Sequence, residues 1–299
     1  MAINRTIYTQ SEVKITTGDF GSSQTDFAVI SGVQNASVSF STPRQNVNSF
    51  GVRGIIDKVQ TEAETATATV SFILPSGTGA GNHLSPVKLN DLMQNSLIDN
   101  PTGFNVTVAG IGCVYSGLLS SFSINAAVGD LPTCELTFEG IPSGGSLSQN
   151  ADGELPDKIS AVTASTYPVL TSDKVSGLSI ADSDGGNNNP LGNNVGGFGA
   201  SVQNATFSWE IPVERVLSLG APISQPAVFT TLPGTSSITA EGLDMPSGIT
   251  GLIVGGYKFT IGTSAKEVSR EHNLAVGDVG GTYNVNMEST ADSCFVGNS

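Results

Sequence analysis

The chain has 299 residues, of which 38% are apolar and only 13% charged, and its formal net charge is −14. That charged share is about half the usual one. Gly, Ser, Thr, Asn and Val fill the gap, a mixture that suits short strands and tight turns and supplies few helix formers. Twelve basic residues, scattered and with no cluster of them alongside aromatics, argue against stable nucleic-acid binding through phosphate contacts. A negative wall past which DNA slides without sticking fits the same balance.

Three cysteines, Cys113, Cys134 and Cys294, have no metal-ligand spacing, and an odd count argues against a disulfide framework. All three are expected to be reduced, Cys134 as a small buried apolar residue and Cys294, near the C-terminus, as the most accessible. Met1–Thr6 lacks the apolar core of a signal peptide, and no apolar run approaches membrane-spanning length. The expected course is synthesis in a cytoplasm, where the chain stays until it assembles.

Period-two alternation begins at Val33–Phe40, where Gln34, Ala36, Val38 and Phe40 share one face. Ala66–Leu74 alternates in the same way. Ser85-Pro86 then opens a predicted helix over 86–99, with Ser85 as N-cap, Pro86 at the first helical position, and Leu89, Leu92, Met93 and Leu97 on one face. Another strand is predicted at Gly103–Val108. Tyr115–Gly140 reads as a β-hairpin bent around Val128-Gly-Asp-Leu-Pro132. A Ser-, Gly- and Asp-rich stretch then supplies a linker at 146–160.

Beyond the linker the chain repeats itself. Val33–Gly51 laid over Val202–Gly220 without a gap is identical at nine of nineteen positions, where average composition would give roughly one or two. Phe40 aligns with Trp209, so the only tryptophan is expected in the core. The same offset lays Ala66–Leu74 over Thr235–Leu243. Gly103–Val108 resembles Gly256–Ile261, and Ala127-Val-Gly-Asp130 reappears as Ala275-Val-Gly-Asp278, each before an alternating strand. The helix is the part the second copy lacks. The expected fold is therefore all-β with one short helix: tandem duplicated antiparallel β-sandwich or half-barrel domains, 1–145 and 161–299.

Chemistry-bearing constellations are few. His83 and His272 have no second His or Cys at ligand spacing, and no nucleophile elbow, phosphate loop or dinucleotide fingerprint occurs. No catalytic residue, metal or cofactor is expected. Asp182-Ser-Asp184-Gly-Gly-Asn187-Asn-Asn189 resembles part of a calcium loop, but the chelating Glu is missing and an exposed Asn/Gly loop is the plainer reading. Asp57, Glu62 and Glu64 offer paired carboxylates of the glycosidase type without an aromatic sugar platform, so a solvated strand face is expected instead.

Three blocks carry a family resemblance. Val33-Gln-Asn-Ala-Ser-Val-Ser-Phe40 with its following Pro and Gly-ended turn resembles the opening inner strands of bacteriophage tail tube proteins. Tyr115–Gly140 is similar to the small-residue, Val-Gly-Asp, alternating-strand, Glu-Gly run of two-domain major tail proteins. Val202–Gly220 resembles the inner hairpin of their second domain. Residues 160–200 match none of these patterns.

The resemblance implies ring-forming domains whose inner hairpins join into a continuous barrel, stacked into the tube through which DNA leaves the virion. Tube proteins of one domain form six-fold rings, each domain lending four strands to a barrel of about 24. With both halves carrying the inner-strand block, the expectation is three chains per ring, pseudo-hexameric, touching copies of themselves and other phage tail proteins but no membrane. Six chains with residues 160–299 projecting outward is the competing arrangement. The lumen face is expected to be polar and net negative, with Glu62, Glu64, Glu210 and Glu214 as candidates. A capsid decoration or fibre protein and, more remotely, a carbohydrate-binding β-sandwich are the rival classes.

Overall fold

The computed structural model describes residues 13–17, 25–30, 32–48, 50, 53–60, 64–75, 83–98, 103–108, 111–127, 130–142, 179–182, 187–188, 201–216, 228–243, 249–254, 256–262, 264–274 and 282–298. In chain order the elements are β1 (Val13–Thr17), β2 (Thr25–Ile30), β3 (Val33–Ser41), β4 (Arg44–Val47), β5 (Asp57–Gln60), β6 (Thr65–Ile73), α1 (Pro86–Leu97), β7 (Phe104–Val108), β8 (Gly112–Ala127) and β9 (Thr133–Ile141). They continue with β10 (Ser179–Asp182), β11 (Asn187–Asn188), β12 (Ser201–Glu210), β13 (Val213–Val216), β14 (Val228–Thr231), β15 (Thr235–Leu243), β16 (Ile249–Val254), β17 (Tyr257–Thr260), β18 (Lys266–Asn273), β19 (Thr282–Thr290) and β20 (Phe295–Asn298). The all-β architecture with one helix and antiparallel sheets is as expected from the alternating pattern. The predicted linker, residues 146–160, lies outside the described residues.

Eight strands form one uninterrupted antiparallel run, β3-β6-β9-β8-β12-β15-β19-β18. The first four come from one half of the chain and the last four from the other, in the same internal order. Their registers also agree. Ala36 faces Val70 as Ala205 faces Ala240, and Phe122 faces Leu136 as Arg270 faces Val285. Even the irregularities coincide: β3 and β12 bulge at Gln34 and Gln203, and β8 and β18 at Ser120 and Val268.

One predicted alignment is corrected by a residue. Thr65–Ile73, not Ala66–Leu74, corresponds to Thr235–Leu243, because Val70 and Ala240 occupy equivalent places in both registers. A strand's side chains alternate between faces, so a slip of one would have placed the core face in solvent. Burial agrees: Ala66, Ala68, Val70 and Phe72 are buried, as are Ser236, Ile238, Ala240 and Gly242.

The apolar face of the eight-stranded run is covered by a second layer. β8 is long enough to serve both layers: its first residues pair with β7, which continues through β1 to β2, and its last residues pair with β12. It turns at Ser116, whose φ of 47° is left-handed. In the other half β17 is flanked by β16 and the C-terminal β20, and β16 leads on to β10 and β11. Phe122, Phe207 and Phe259, from β8, β12 and β17, form an aromatic cluster with centroids 5.2–5.8 Å apart. One hydrophobic core therefore runs through both halves.

The helix has the predicted cap and face. Ser85 Oγ accepts from Lys88 N at 3.3 Å, and Leu89, Leu92 and Met93 are buried. Its partners lie in the other half as well as its own. Gln94 Nε2 donates to Cys294 O at 3.1 Å, Val296 N donates to Asn90 Oδ1 at 3.0 Å, and Tyr257 Oη donates to Leu84 O at 3.0 Å from just before the helix. The one α-helix among the described residues thus ties the two halves of the chain together.

Candidate assembly surface

The face of the eight-stranded run turned away from the core is built almost wholly of hydroxyl, amide and carboxylate side chains. Residues directly opposite in an antiparallel pair share a face, so the rows can be read across the sheet. Asn35, Ser71, Glu135, Ser123, Ser208, Ser237, Glu288 and Lys266 make one such row. Asn204, Glu241, Asn284 and Glu271 stand in another. Short hydrogen bonds knit neighbouring strands: Ser208 Oγ to Ser237 Oγ at 2.7 Å, and Thr239 Oγ1 to Asn286 Oδ1 at 3.3 Å.

Six glutamates, Glu135, Glu139, Glu210, Glu241, Glu271 and Glu288, lie on this face with a single lysine, Lys266. The surface is therefore polar and net negative. Like charges spread over a broad face repel polyanions, within about 8 Å at physiological salt.

Of the four predicted lumen carboxylates, Glu210 lies on this face, opposite Ser121 and Thr235. Glu214 is exposed on β13, in a hairpin beyond the sheet. Glu64 is buried at the foot of β6, where it accepts a hydrogen bond from Thr42 Oγ1 at 3.4 Å. Glu62 lies outside the described residues. The five other glutamates of the face were not singled out from the sequence, although Glu135, Glu139, Glu241 and Glu288 alternate with buried residues along their strands. That parity was the signal.

Among the described residues both edges of the run are unpaired. β3 bonds only β6, and β18 bonds only β19. All eight residues of β18 are exposed, with Val268 at 57% and Leu274 just beyond it at 69%. On β3 the inward-facing Ala36, Val38 and Phe40 are only half-buried. A shallow depression of about 380 Å³ lies beside the β18 edge, lined by Lys266, Val268 and Glu288 among others.

No family model matches the chain, and no curated protein is significantly similar to it in sequence.

Two hairpins, β4–β5 and β13–β14, occupy like positions, each between the first and second strands of its quartet. The first is exposed wherever its side chains are described and carries Val47, Phe50, Ile55, Ile56 and Val59 in solvent. Exposed apolar groups gathered in this way mark contact surfaces. Asp57 also sits here, its Oδ1 accepting from Lys58 N, while Glu64 is buried elsewhere. With Glu62 outside the described residues, no paired-carboxylate site is assembled among those described.

Among the described residues no group of three or more His, Cys, Asp or Glu gathers. His83 bridges β2 at Val29, and His272 stacks on Tyr283 with centroids 4.2 Å apart. The predicted cation loop is a hairpin in its described part, with Ala181 opposite Asn187. Residues 183–186 and 189 lie outside the description. Trp209 is a core residue, 1% exposed, and its Nε1 donates to Ala291 O at 3.1 Å.

The three thiols are free and buried. Cys294, expected to be the most accessible, is 2% exposed because β20 packs under the helix. Burial pushes its pKa up to about 12 and that of Cys134 well above the ordinary thiol range. No helix among the described residues is long and apolar enough to cross a membrane.

Proposed function

We propose that this chain is a structural protein of a bacteriophage tail tube: three chains close a ring, and rings stack into the conduit for DNA. The observation that carries the reading is the eight-stranded run itself, two like quartets side by side with one acidic polar face and two edges that lack a partner among the described residues. Unpaired edges are aggregation hazards unless they are used, and a closed ring uses all of them. Three chains of eight such strands make 24, the barrel size implied by the family resemblance.

The polar face then lines the lumen, where carboxylates keep a phosphate backbone moving without binding it. The pairing of β12 with β8 favours three chains over six, since the second quartet continues the sheet instead of projecting from it. The role is mechanical, with no catalytic residue, cofactor or metal, and the mature location is the virion. Exposed apolar residues on the β4–β5 hairpin suit contact with further copies or with other tail proteins.

Negative-stain microscopy of the purified protein, combined with the mass of isolated rings, tests this reading. Stacked rings or tubes, with a ring mass of about 92 kDa from a chain of 30.5 kDa, support it. Rings of twice that mass would restore the six-chain arrangement. A compact oligomer that never polymerises would point to a capsid decoration or fibre protein.

A further inference from the structure

The joint between the two halves is a worked example of how one quartet meets the next. β12, the first strand of its quartet, pairs with β8, the third strand of the preceding one, over Asn204–Ala127 to Glu210–Ser121. The counterpart of β12 is β3 and the counterpart of β8 is β18, and these are the two edges without a partner among the described residues. From this we infer that β18 of one chain pairs antiparallel with β3 of a second copy in the register of the internal joint. The inference deepens the ring reading above and rests on it.

Carrying the internal pairs across gives the register residue by residue. Thr206 opposite Asn125 becomes Ser37 opposite Asn273, and Ser208 opposite Ser123 becomes Ser39 opposite Glu271. On the other face, Phe207 opposite Ile124 becomes Val38 opposite His272, and Trp209 opposite Phe122 becomes Phe40 opposite Arg270. Face parity is kept throughout: the polar row of β3 continues into the polar row of β18. The half-buried Ala36, Val38 and Phe40 gain the cover that they lack in the single chain. Exposed Leu274 falls opposite Ala36, where the internal joint buries Ala126 against Ala205.

The bulge at Val268 supports this register independently. A bulge on an edge strand commonly protects it from pairing, but the equivalent bulge at Ser120 does not. There the Ser120 carbonyl oxygen accepts from Ile211 N at 2.8 Å, extending the joint by one bond past β12. Thr42 is the counterpart of Ile211, so its N–H is placed to donate to Val268 O of the other copy. Such a contact is heterologous, joining different surfaces of identical chains, and it closes a ring when the rotation allows.

Cysteine pairs in the full-length chain test the register, since the three native thiols are buried and the four positions chosen are exposed. A disulfide needs Cα atoms within about 7 Å. Under mild oxidation, Ser37→Cys with Asn273→Cys, and separately Ser39→Cys with Glu271→Cys, should give linked dimers and larger species on a non-reducing gel. The crossed pairs, Ser37→Cys with Glu271→Cys and Ser39→Cys with Asn273→Cys, should link at least tenfold less. Stronger linking of either crossed pair, with rings still visible by microscopy, overturns the register while leaving the tube reading intact. Rings with no linking in any pair overturn the edge contact itself, and a protein that stays monomeric overturns both.

Discussion

Phe122 and Phe207 pack with ring centroids 5.8 Å apart across the joint between the halves, one ring on β8 and the other on β12. Because both also touch Phe259, the core at the joint cannot be divided without opening it to water. Phe207→Ala is expected to cost about 3–5 kcal/mol, the usual loss for a buried aromatic. Denaturant unfolding of a dilute sample followed by both tryptophan fluorescence and circular dichroism should remain one coincident transition at a lower midpoint. Two separated transitions would mean that the halves fold as independent units.

Gly140 and Ser289 occupy the same place in their quartets, opposite Ala66 and Ser236 respectively. Only the first must be glycine, because β8 crosses over it on the way to the outer layer. A Cβ at 140 would collide with the Tyr115 carbonyl oxygen and lie 2.8 Å from Gly117 Cα. The segment before β18 leaves room for a side chain there, and Ser289 Oγ meets Ser264 Oγ at 3.3 Å and Ser293 Oγ at 2.8 Å. Gly140→Ala should destabilise by about 1–3 kcal/mol, whereas Ser289→Ala should stay within about 1 kcal/mol. Equal effects in thermal melts would contradict this account of the crossing.

Asn90 ties the helix to the C-terminal strand through Val296 N. Asn90→Ala removes the acceptor and should leave that amide without its bond, at a cost of about 1–2 kcal/mol. Hydrogen exchange at Val296 and its β20 neighbours is expected to quicken by roughly tenfold, since 1.4 kcal/mol is a factor of ten. Unchanged exchange there would show that packing under the helix, and not this bond, holds β20.

The thiols give a pH prediction. Cys294 is raised from 9.0 to about 12, chiefly by burial, so the unfolded chain loses this proton first as pH climbs. The stability tied to this group is complete below pH 9.0 and declines between there and about 12. At pH 8 iodoacetamide should modify all three cysteines slowly in the folded protein and rapidly in denaturant. Fast labelling of Cys294 in the native state would place it in solvent.

The amino-acid sequence alone determined that the protein is β-rich, because Ser/Thr/Val alternation has period two wherever a sheet has one wet and one dry face. It also determined the helix, through Ser85, Pro86 and the spacing of Leu89, Leu92 and Met93, and it carried the likeness of 33–51 to 202–220. Those are local signals, written within one element at a time. The pairing of β8 with β12, which merges the halves into one sheet, is a contact between distant segments and leaves no periodic trace. The slip of one residue at Thr65–Ile73 arose because Ala, Thr and Ser alternate too weakly to show which set faces inward. Glu64 and Glu210 look alike as carboxylates beside strands, yet one is buried under Thr42 and the other stands on the acidic face. Only strand pairing, which fixes side-chain parity across the whole sheet, separates them.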